Sequence, residues 1–332
     1  MMTPTLAFLL LMGVLYLYAI TAAIDFGSGA ILLWSVVRGR VDVYQTVERY
    51  ASPIWEVVNV FFILFAVGFV GYFPKAIPLV GTVMLVPGAV GLGAIAVRSL
   101  AFVLRAINPH HAPRLFPWLL GVTGVLAPLP FVSLFALLHG TGYSVVGGVV
   151  RVDLAALLLN PITLIFMAVA VASEFALAAL FLAYYARASG LRLAADSLRR
   201  MARPWLVAMG ILLVVALGAL IATEPAGSGW QWPLFALGVV GLGTGLYRVR
   251  LGDAGGALLS VLAGSLLGLL GMAAWQLPWL VLSQVSLASV FTGAAMSQAL
   301  TLVLAIGIVL VVPALIFLGR LVLQDAVKAR AV

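Results

Sequence analysis

Three charged side chains lie in otherwise apolar stretches, where an ion is costly. Asp25, Glu56 and Arg98 sit near the ends of consecutive hydrophobic runs. Asn59 follows Glu56 by three residues, which places both side chains on one helix face. Such groups must face protein or water rather than lipid. They form either a structural ion-pair cluster or a hydrated route for protons or ions, and the spacing alone leaves both interpretations open. Arg105, two helical turns beyond Arg98, is included in this predicted polar cluster.

Glu174 is an isolated acid near the middle of a later apolar run. A lone carboxylate at that depth is protonated or paired with another chain. A proton-transfer role and a contact with a partner subunit are therefore both open.

The three histidines are not placed for haem ligation. His110 and His111 lie in a predicted loop, and His139 ends a hydrophobic run. Haem ligation in a helical bundle uses an axial ligand set within the bundle. We therefore expect no cofactor bound by this chain alone, no metal site and no catalytic residue. No nucleotide-binding or zinc-protease motif occurs in the sequence.

The composition requires these residues to be positioned by membrane helices. Hydrophobic residues make up 64% of the 332 residues and charged residues only 8%, whereas soluble domains average about 25% charged residues. The net charge of +8 comes from basic residues in short loops, which fits membrane topology better than nucleic-acid binding. Cysteine is absent, which excludes disulfides and thiolate chemistry.

The hydrophobic runs predict an all-α polytopic membrane protein, a single integral-membrane domain over 1–332. A span requires about 20 apolar residues. Residues 277–291 are too polar for a lipid-facing span, and we expect a loop that folds back onto the protein or a re-entrant segment. About nine spans are predicted, near residues 6–34, 54–73, 77–104, 115–139, 161–185, 205–223, 232–247, 257–275 and 300–323.

The basic residues predict the orientation. Of the 18 Lys and Arg residues, fifteen fall on one side of the predicted spans, while Lys75 and Arg151 fall on the other and Arg98 lies within a span. Positive loops face the cytoplasm, so the N-terminus is predicted outside and the C-terminus inside.

The most basic linker is Ser189–Arg203. Apolar residues recur along it at helical spacing, with arginines between them. An interfacial helix lying on anionic lipid and a solvated loop are both compatible with this pattern.

The chain resembles subunit II of cytochrome bd-type quinol oxidases. Ala23–Gly29 is similar to the family's DGFDLGxG-type stretch, Ser52–Pro74 to its PVWDGNE…FPxAY segment, and Arg98–Arg105 to its RGxxFEFR stretch. The likeness covers nearly the whole chain. Val103 stands where the family's FEFR stretch has a glutamate. Asp25, Glu56 and Arg98 are the positions that still match, with Glu56 in place of the family's aspartate.

The resemblance implies a heterodimer in a bacterial or archaeal cytoplasmic membrane. The haems and the quinol site would lie in a partner, subunit I, and this chain would scaffold that partner, with a cytoplasmic proton path and a bound quinone or lipid as further expectations. Its partners would be subunit I, membrane lipid and the quinol pool, with no nucleic acid. The alternative from the residues alone is a secondary transporter that uses the carboxylate/arginine cluster as its site.

Overall fold

The structure is a computed structural model that describes residues 2–50, 55–107, 115–223 and 229–328. Helices dominate these residues, and two short hairpins connect some of them. The helices are α1 (Pro4–Val37), α2 (Val41–Tyr50), α3 (Trp55–Tyr72), α4 (Ile77–Val83), α5 (Leu85–Ile107), α6 (Leu115–Leu126), α7 (Leu129–Val132), α8 (Leu134–Leu138), α9 (Leu154–Leu158), α10 (Pro161–Ala188), α11 (Arg192–Thr223), α12 (Gln231–Leu251), α13 (Ala254–Gln276), α14 (Leu287–Val290) and α15 (Ala294–Lys328). The antiparallel strand pairs are β1 (Tyr143–Val146) with β2 (Val149–Val152), and β3 (Trp279–Val281) with β4 (Val285–Ser286).

The described residues contain eight helical segments long and apolar enough to cross a membrane. A ninth is obtained if the pair Val58–Tyr72 and Pro74–Val83, bent by 95°, counts as one span. The prediction of an all-α polytopic protein with about nine spans is therefore confirmed. The orientation of the termini stays a prediction.

Two long helices begin at caps that the sequence encodes. The Thr3 hydroxyl accepts a hydrogen bond from the Leu6 N–H, and Pro4 is the first residue of α1. The Asn160 side chain accepts from the Ile162 N–H at the start of α10, again just before a proline. Proline fits the first helical position because its missing N–H would have no partner there.

The predicted span over residues 77–104 differs from the structure. A 3₁₀ turn over Pro74–Ala76 leads into the short helix α4, and the long helix α5 begins only at Leu85. The apolar run is longer than a bilayer needs, so hydropathy alone does not locate the point at which the chain turns. Pro74 and Pro78, at the starts of the 3₁₀ turn and α4, mark that turn.

The basic linker is mostly helical and is continuous with the span that follows it. From Arg192 onward it is the first part of α11, which continues through the sixth predicted span to Thr223. Its apolar residues Leu198 and Ala202 are buried in the main core, together with Ala195. The helical periodicity was thus correctly interpreted, but the apolar face packs against protein.

Residues 277–291 fold back onto the protein as expected. They form the β3–β4 hairpin and the single turn α14. The Leu282 N–H donates to the Leu138 carbonyl at 2.9 Å, and Leu280 and Val281 are buried. The polar residues therefore serve turns and hydrogen bonds at one end of the bundle.

Helix α1 lies at the centre of the bundle and contacts α3, α6 and α10. Gly27 permits the approach to α10, because a Cβ at this position would overlap the backbone carbonyl of Glu174 and lie 2.8 Å from the Ala178 Cβ. Close helix packing at small residues is the usual means of association between membrane helices. This packing sets the position of Asp25, half a turn earlier on α1.

Candidate functional site

A buried ion pair joins α1 to α5. The Arg98 Nη2 lies 3.0 Å from the Asp25 Oδ1, and Nε donates to Oδ2 at 3.1 Å. Each residue is only 3% exposed. A carboxylate and a guanidinium that meet through two nitrogens form a strong and directional contact. The ion pair therefore directly joins two of the five predicted cluster residues.

The remaining donors of Arg98 reach the backbone. Nη2 also donates to the Asp25 carbonyl at 2.8 Å, and Nη1 donates to the Leu120 carbonyl of α6 at 3.0 Å. All three guanidinium nitrogens are thus engaged, and the arginine links three helices. The contact with Leu120 had no signal in the sequence, because any residue offers a carbonyl.

Small and aromatic residues complete the environment of this arginine. A Cβ at Gly29 would lie 2.7 Å from the Arg98 Nη1 and 2.6 Å from the Leu120 oxygen, so only glycine leaves space for that hydrogen bond. The rings of Phe26 and Phe102 lie 5.2 and 5.6 Å from the guanidinium carbon. Such contacts favour a cation that has lost its water.

A narrow crevice adjoins the ion pair. Its volume is about 10 Å³, which is close to the minimum for one water molecule. Asn59 of α3 is half-buried beside it. Glu56 lies one turn earlier, in the first turn of α3, but its side chain is outside the part of the chain that the structure describes. The lining residues are Asp25, Phe26, Val58, Asn59, Ile95, Arg98 and Ser99.

Arg105 has a different partner from Arg98. Its Nη2 lies 2.6 Å from the Glu48 Oε1, and its guanidinium stacks over the Phe116 ring at 4.5 Å. Tyr44 donates to the same Glu48 oxygen at 3.1 Å, and burial raises the pKa of the Tyr44 hydroxyl. Both side chains of the ion pair are about one-third exposed. Arg105 therefore fastens the short helix α2 to α5, a role that the prediction of a single cluster missed.

Glu174 is buried on α10 with 3% exposure. Within the described part of the chain, its Oε2 atom has no hydrogen-bond partner. Its backbone carbonyl lies at the α1–α10 contact, where a Cβ at Gly27, two residues beyond Asp25 on α1, would overlap it.

The histidine positions do not make a ligand set in the described residues. His110 and His111 lie outside those residues, and the His139 Nδ1 lies 2.6 Å from the Phe135 carbonyl of its own helix turn. Among the residues described, no group of three or more His, Asp or Glu side chains is arranged to hold a metal ion.

The sequence model of the family described as "Cytochrome bd terminal oxidase subunit II" matches residues 3–322 of the chain. The chain belongs to this family. The match confirms the resemblance that three short motifs suggested, and nothing in the comparisons supports a transporter.

Two relatives illustrate the likeness. The putative cytochrome bd menaquinol oxidase subunit II of Bacillus subtilis (strain 168) is 28% identical over 181 residues, which cover 54% of this chain and 51% of that protein. The alignment thus spans about half the relative's length. The structure of bd oxidase from Geobacillus thermodenitrificans contains a chain with a TM-score of 0.83 and 24% identity, over 96% of this chain and 98% of that one. At this identity the likeness shows the fold.

The family motifs fall on three helices of this subunit II. Asp25 is on α1, Glu56 on α3 and Arg98 on α5. The structure joins the first and third of these in a direct ion pair, with Asn59 of the second beside them. Asp25, Asn59 and Arg98 therefore lie together between α1, α3 and α5.

Proposed function

We propose that this chain is the non-haem subunit of a membrane quinol:oxygen oxidoreductase. The observation that carries the proposal is the family match over residues 3–322. A larger subunit I would hold the haems and the quinol site, where quinol is oxidised and oxygen is reduced. This chain would lie beside that subunit in the bacterial cytoplasmic membrane and support its assembly.

The contribution proposed for the Asp25–Arg98 pair is structural. Arg98 has hydrogen-bond partners for all three of its guanidinium nitrogens, on two neighbouring helices. A buried pair of this kind resists separation, because removal of one partner leaves an uncompensated charge. The pair would hold α1, α5 and α6 in one arrangement against the partner subunit.

A second proposal is proton access from the cytoplasmic side. It is supported by the crevice of about 10 Å³ beside Asp25 and Asn59, which is close to the minimum that holds one water molecule. Glu56, one turn before Asn59, would exchange protons with water and pass them toward the partner. Membrane carboxylates often serve as such relays.

Purification of the native complex tests the main proposal. A tag on this chain should recover a larger membrane subunit whose haem gives a Soret band, together with quinol-dependent oxygen consumption. The chain expressed alone should lack the Soret band. Recovery of the chain without a haem-bearing partner, from membranes that contain its natural partners, would refute the proposal.

A further inference from the structure

A cavity between α1, α10 and α11 lies apart from the ion pair. Its volume is about 440 Å³, within the range of sites that bind small ligands. One wall holds a stacked pair, Phe175 and Trp205, with ring centroids 4.5 Å apart. The lining residues are Trp34, Arg40, Phe175, Ser197, Arg200, Met201, Pro204 and Trp205.

The lining changes from polar to apolar along one face of α11. Ser197, Arg200, Met201, Pro204 and Trp205 recur at intervals of three and four residues, so they share a single helix face. Ser197 and Trp205 are about 12 Å apart along the axis. Because α11 enters its span after Arg192, the serine and arginine lie nearer the loops and the tryptophan lies deeper. The cavity therefore has a cationic mouth and an aromatic interior.

Two arginines define the charge at that mouth. Arg40 donates to Ser197 at 2.5 Å and forms an ion pair with Asp42 at 3.1 Å, and the hydrogen bonds from Arg40 lower the pKa of the Asp42 carboxyl. Asp42 thus offsets one positive charge. Arg200 is exposed and has no ion-pair partner among the described residues. Within the described part of the chain, the mouth therefore carries two guanidinium groups and one carboxylate, which is paired with Arg40.

An exposed stripe continues from this mouth along the outside of α11. Arg200 is followed on the same face by Pro204 and then by a run of exposed aliphatic residues. From Arg200 to Val214 the rise is about 21 Å, longer than the half-thickness of about 15 Å of a bilayer's hydrocarbon core. The aliphatic residues of the stripe are Val207, Ile211 and Val214.

We infer that this cavity binds an anionic phospholipid. The phosphate would accept hydrogen bonds from Arg200, the glycerol region would fill the aromatic interior, and one acyl chain would follow the aliphatic stripe. Guanidinium and phosphate form paired, charge-assisted hydrogen bonds. The positive-inside rule predicts that this end of the helices faces the cytoplasm, and the leaflet on that side is the one enriched in anionic lipid.

Lipid binding to the purified, detergent-solubilised complex tests the inference. Phosphatidylglycerol and phosphatidylcholine with identical acyl chains are added to stripped complex, and bound lipid is counted by native mass spectrometry. We expect phosphatidylglycerol to bind at least about tenfold more tightly, a difference of ~1.4 kcal/mol. Equal retention of the two lipids would overturn the inference.

Variants of α11 locate the site. Arg200→Gln should weaken phosphatidylglycerol binding about tenfold, and Arg200→Lys, which keeps the charge, should weaken it less. Arg192→Gln removes the same charge from the same helix away from the cavity and should bind like the wild type. Equal losses in the Arg192 and Arg200 variants, or unchanged binding in Arg200→Gln, would contradict the site.

Soluble competitors separate the possible sources of the phosphate group. Glycerol 3-phosphate should not displace the bound lipid at millimolar concentration, because it lacks the acyl chain that the stripe requires. Displacement at that concentration would assign the cavity to a free phosphate compound, and displacement by a short-chain quinone would assign it to quinone. Both results would overturn the lipid inference, and neither depends on the haem content of the complex.

Discussion

At the residue scale, two arginines on α5 show how burial changes the contribution of an ion pair to stability. Arg98 is enclosed, has partners for every guanidinium nitrogen and faces Asp25, whereas the Arg105–Glu48 pair is about one-third exposed. Exposed pairs contribute about 0–1 kcal/mol because water and salt screen them. Loss of one partner from a buried pair costs about 3–5 kcal/mol because a charge is left without compensation.

This contrast gives a prediction for matched substitutions on α5. Arg98→Gln should lower the free energy of unfolding by about 3–5 kcal/mol, and Arg105→Gln by no more than about 1 kcal/mol. Chemical denaturation of the purified protein in detergent measures both values. The double variant Asp25→Asn/Arg98→Gln should recover part of the loss, since it removes both charges. Similar losses for the two single arginine variants would show that the buried pair is not a structural pin.

The proton-access proposal makes a separate prediction for Glu56. Glu56→Gln keeps the size of the side chain and its hydrogen bonding but cannot release a proton. The complex should assemble with full haem content and consume oxygen about 10²-fold more slowly, in line with the loss of a proton-transferring group. Glu48→Gln, which changes a carboxylate paired with Arg105, serves as the control and should retain activity. A fully assembled Glu56→Gln complex with native turnover would exclude the route.

At the element scale, α1 is the helix around which its neighbours are arranged. It supplies Asp25 to α5, approaches α10 at Gly27 and receives α6 near Gly29. The approaches to α10 and α6 each depend on a missing Cβ, in addition to the apolar contacts of the main core. Membrane helices lack a hydrophobic driving force between them, so such close backbone contact contributes much of their association.

Two glycines of α1 allow the contribution of close backbone contact to stability to be measured. A Cβ at Gly27 would overlap α10, whereas nothing lies within 4 Å of a Cβ at Gly13. Gly27→Ala should therefore destabilise the protein by about 1–3 kcal/mol through overpacking. Gly13→Ala should be neutral or stabilising by up to ~1 kcal/mol, because alanine favours the helix. Thermal unfolding of the two variants, compared with the wild type, checks the difference, and equal effects would count against the α1–α10 contact.

At the scale of the whole molecule, the distribution of basic residues predicts which ends of the helices face the cytoplasm. Fifteen of the 18 Lys and Arg residues belong to one side of the predicted spans. The β1–β2 hairpin and the start of α11 should therefore lie on opposite sides of the membrane.

Single cysteines test this orientation without background, since the sequence has no cysteine. Leu193→Cys and Val146→Cys suit the purpose because Leu193 is 79% and Val146 53% exposed. In intact cells a membrane-impermeant thiol reagent should label the Val146 variant, and the Leu193 variant only after the cells are opened. The reverse pattern would overturn the orientation and, with it, the leaflet assigned to the lipid cavity.

The sequence by itself determined the class of protein and the family. Long apolar runs fix a polytopic helical membrane protein because only helices satisfy the backbone in lipid over such lengths. Asp25, Glu56 and Arg98 could be placed in one predicted cluster because charges in apolar runs must face protein or water, whereas the direct pair of Asp25 with Arg98 is seen only in the structure. The motifs around them led to the bd oxidase subunit II family, which the match over residues 3–322 confirmed.

Only the tertiary structure decided how the remaining parts meet. In the structure, the apolar run after Tyr72 consists of a 3₁₀ turn followed by the helices α4 and α5. The basic linker is part of α11. The structure also separated Arg105 from Arg98 and joined it to Glu48 of the amphipathic helix α2. Contacts between distant segments depend on helix rotation and on the space left by small residues. Hydropathy and charge patterns along one chain encode neither property, so the backbone partner of Arg98 and the cavity beside α11 were visible only once the helices were packed.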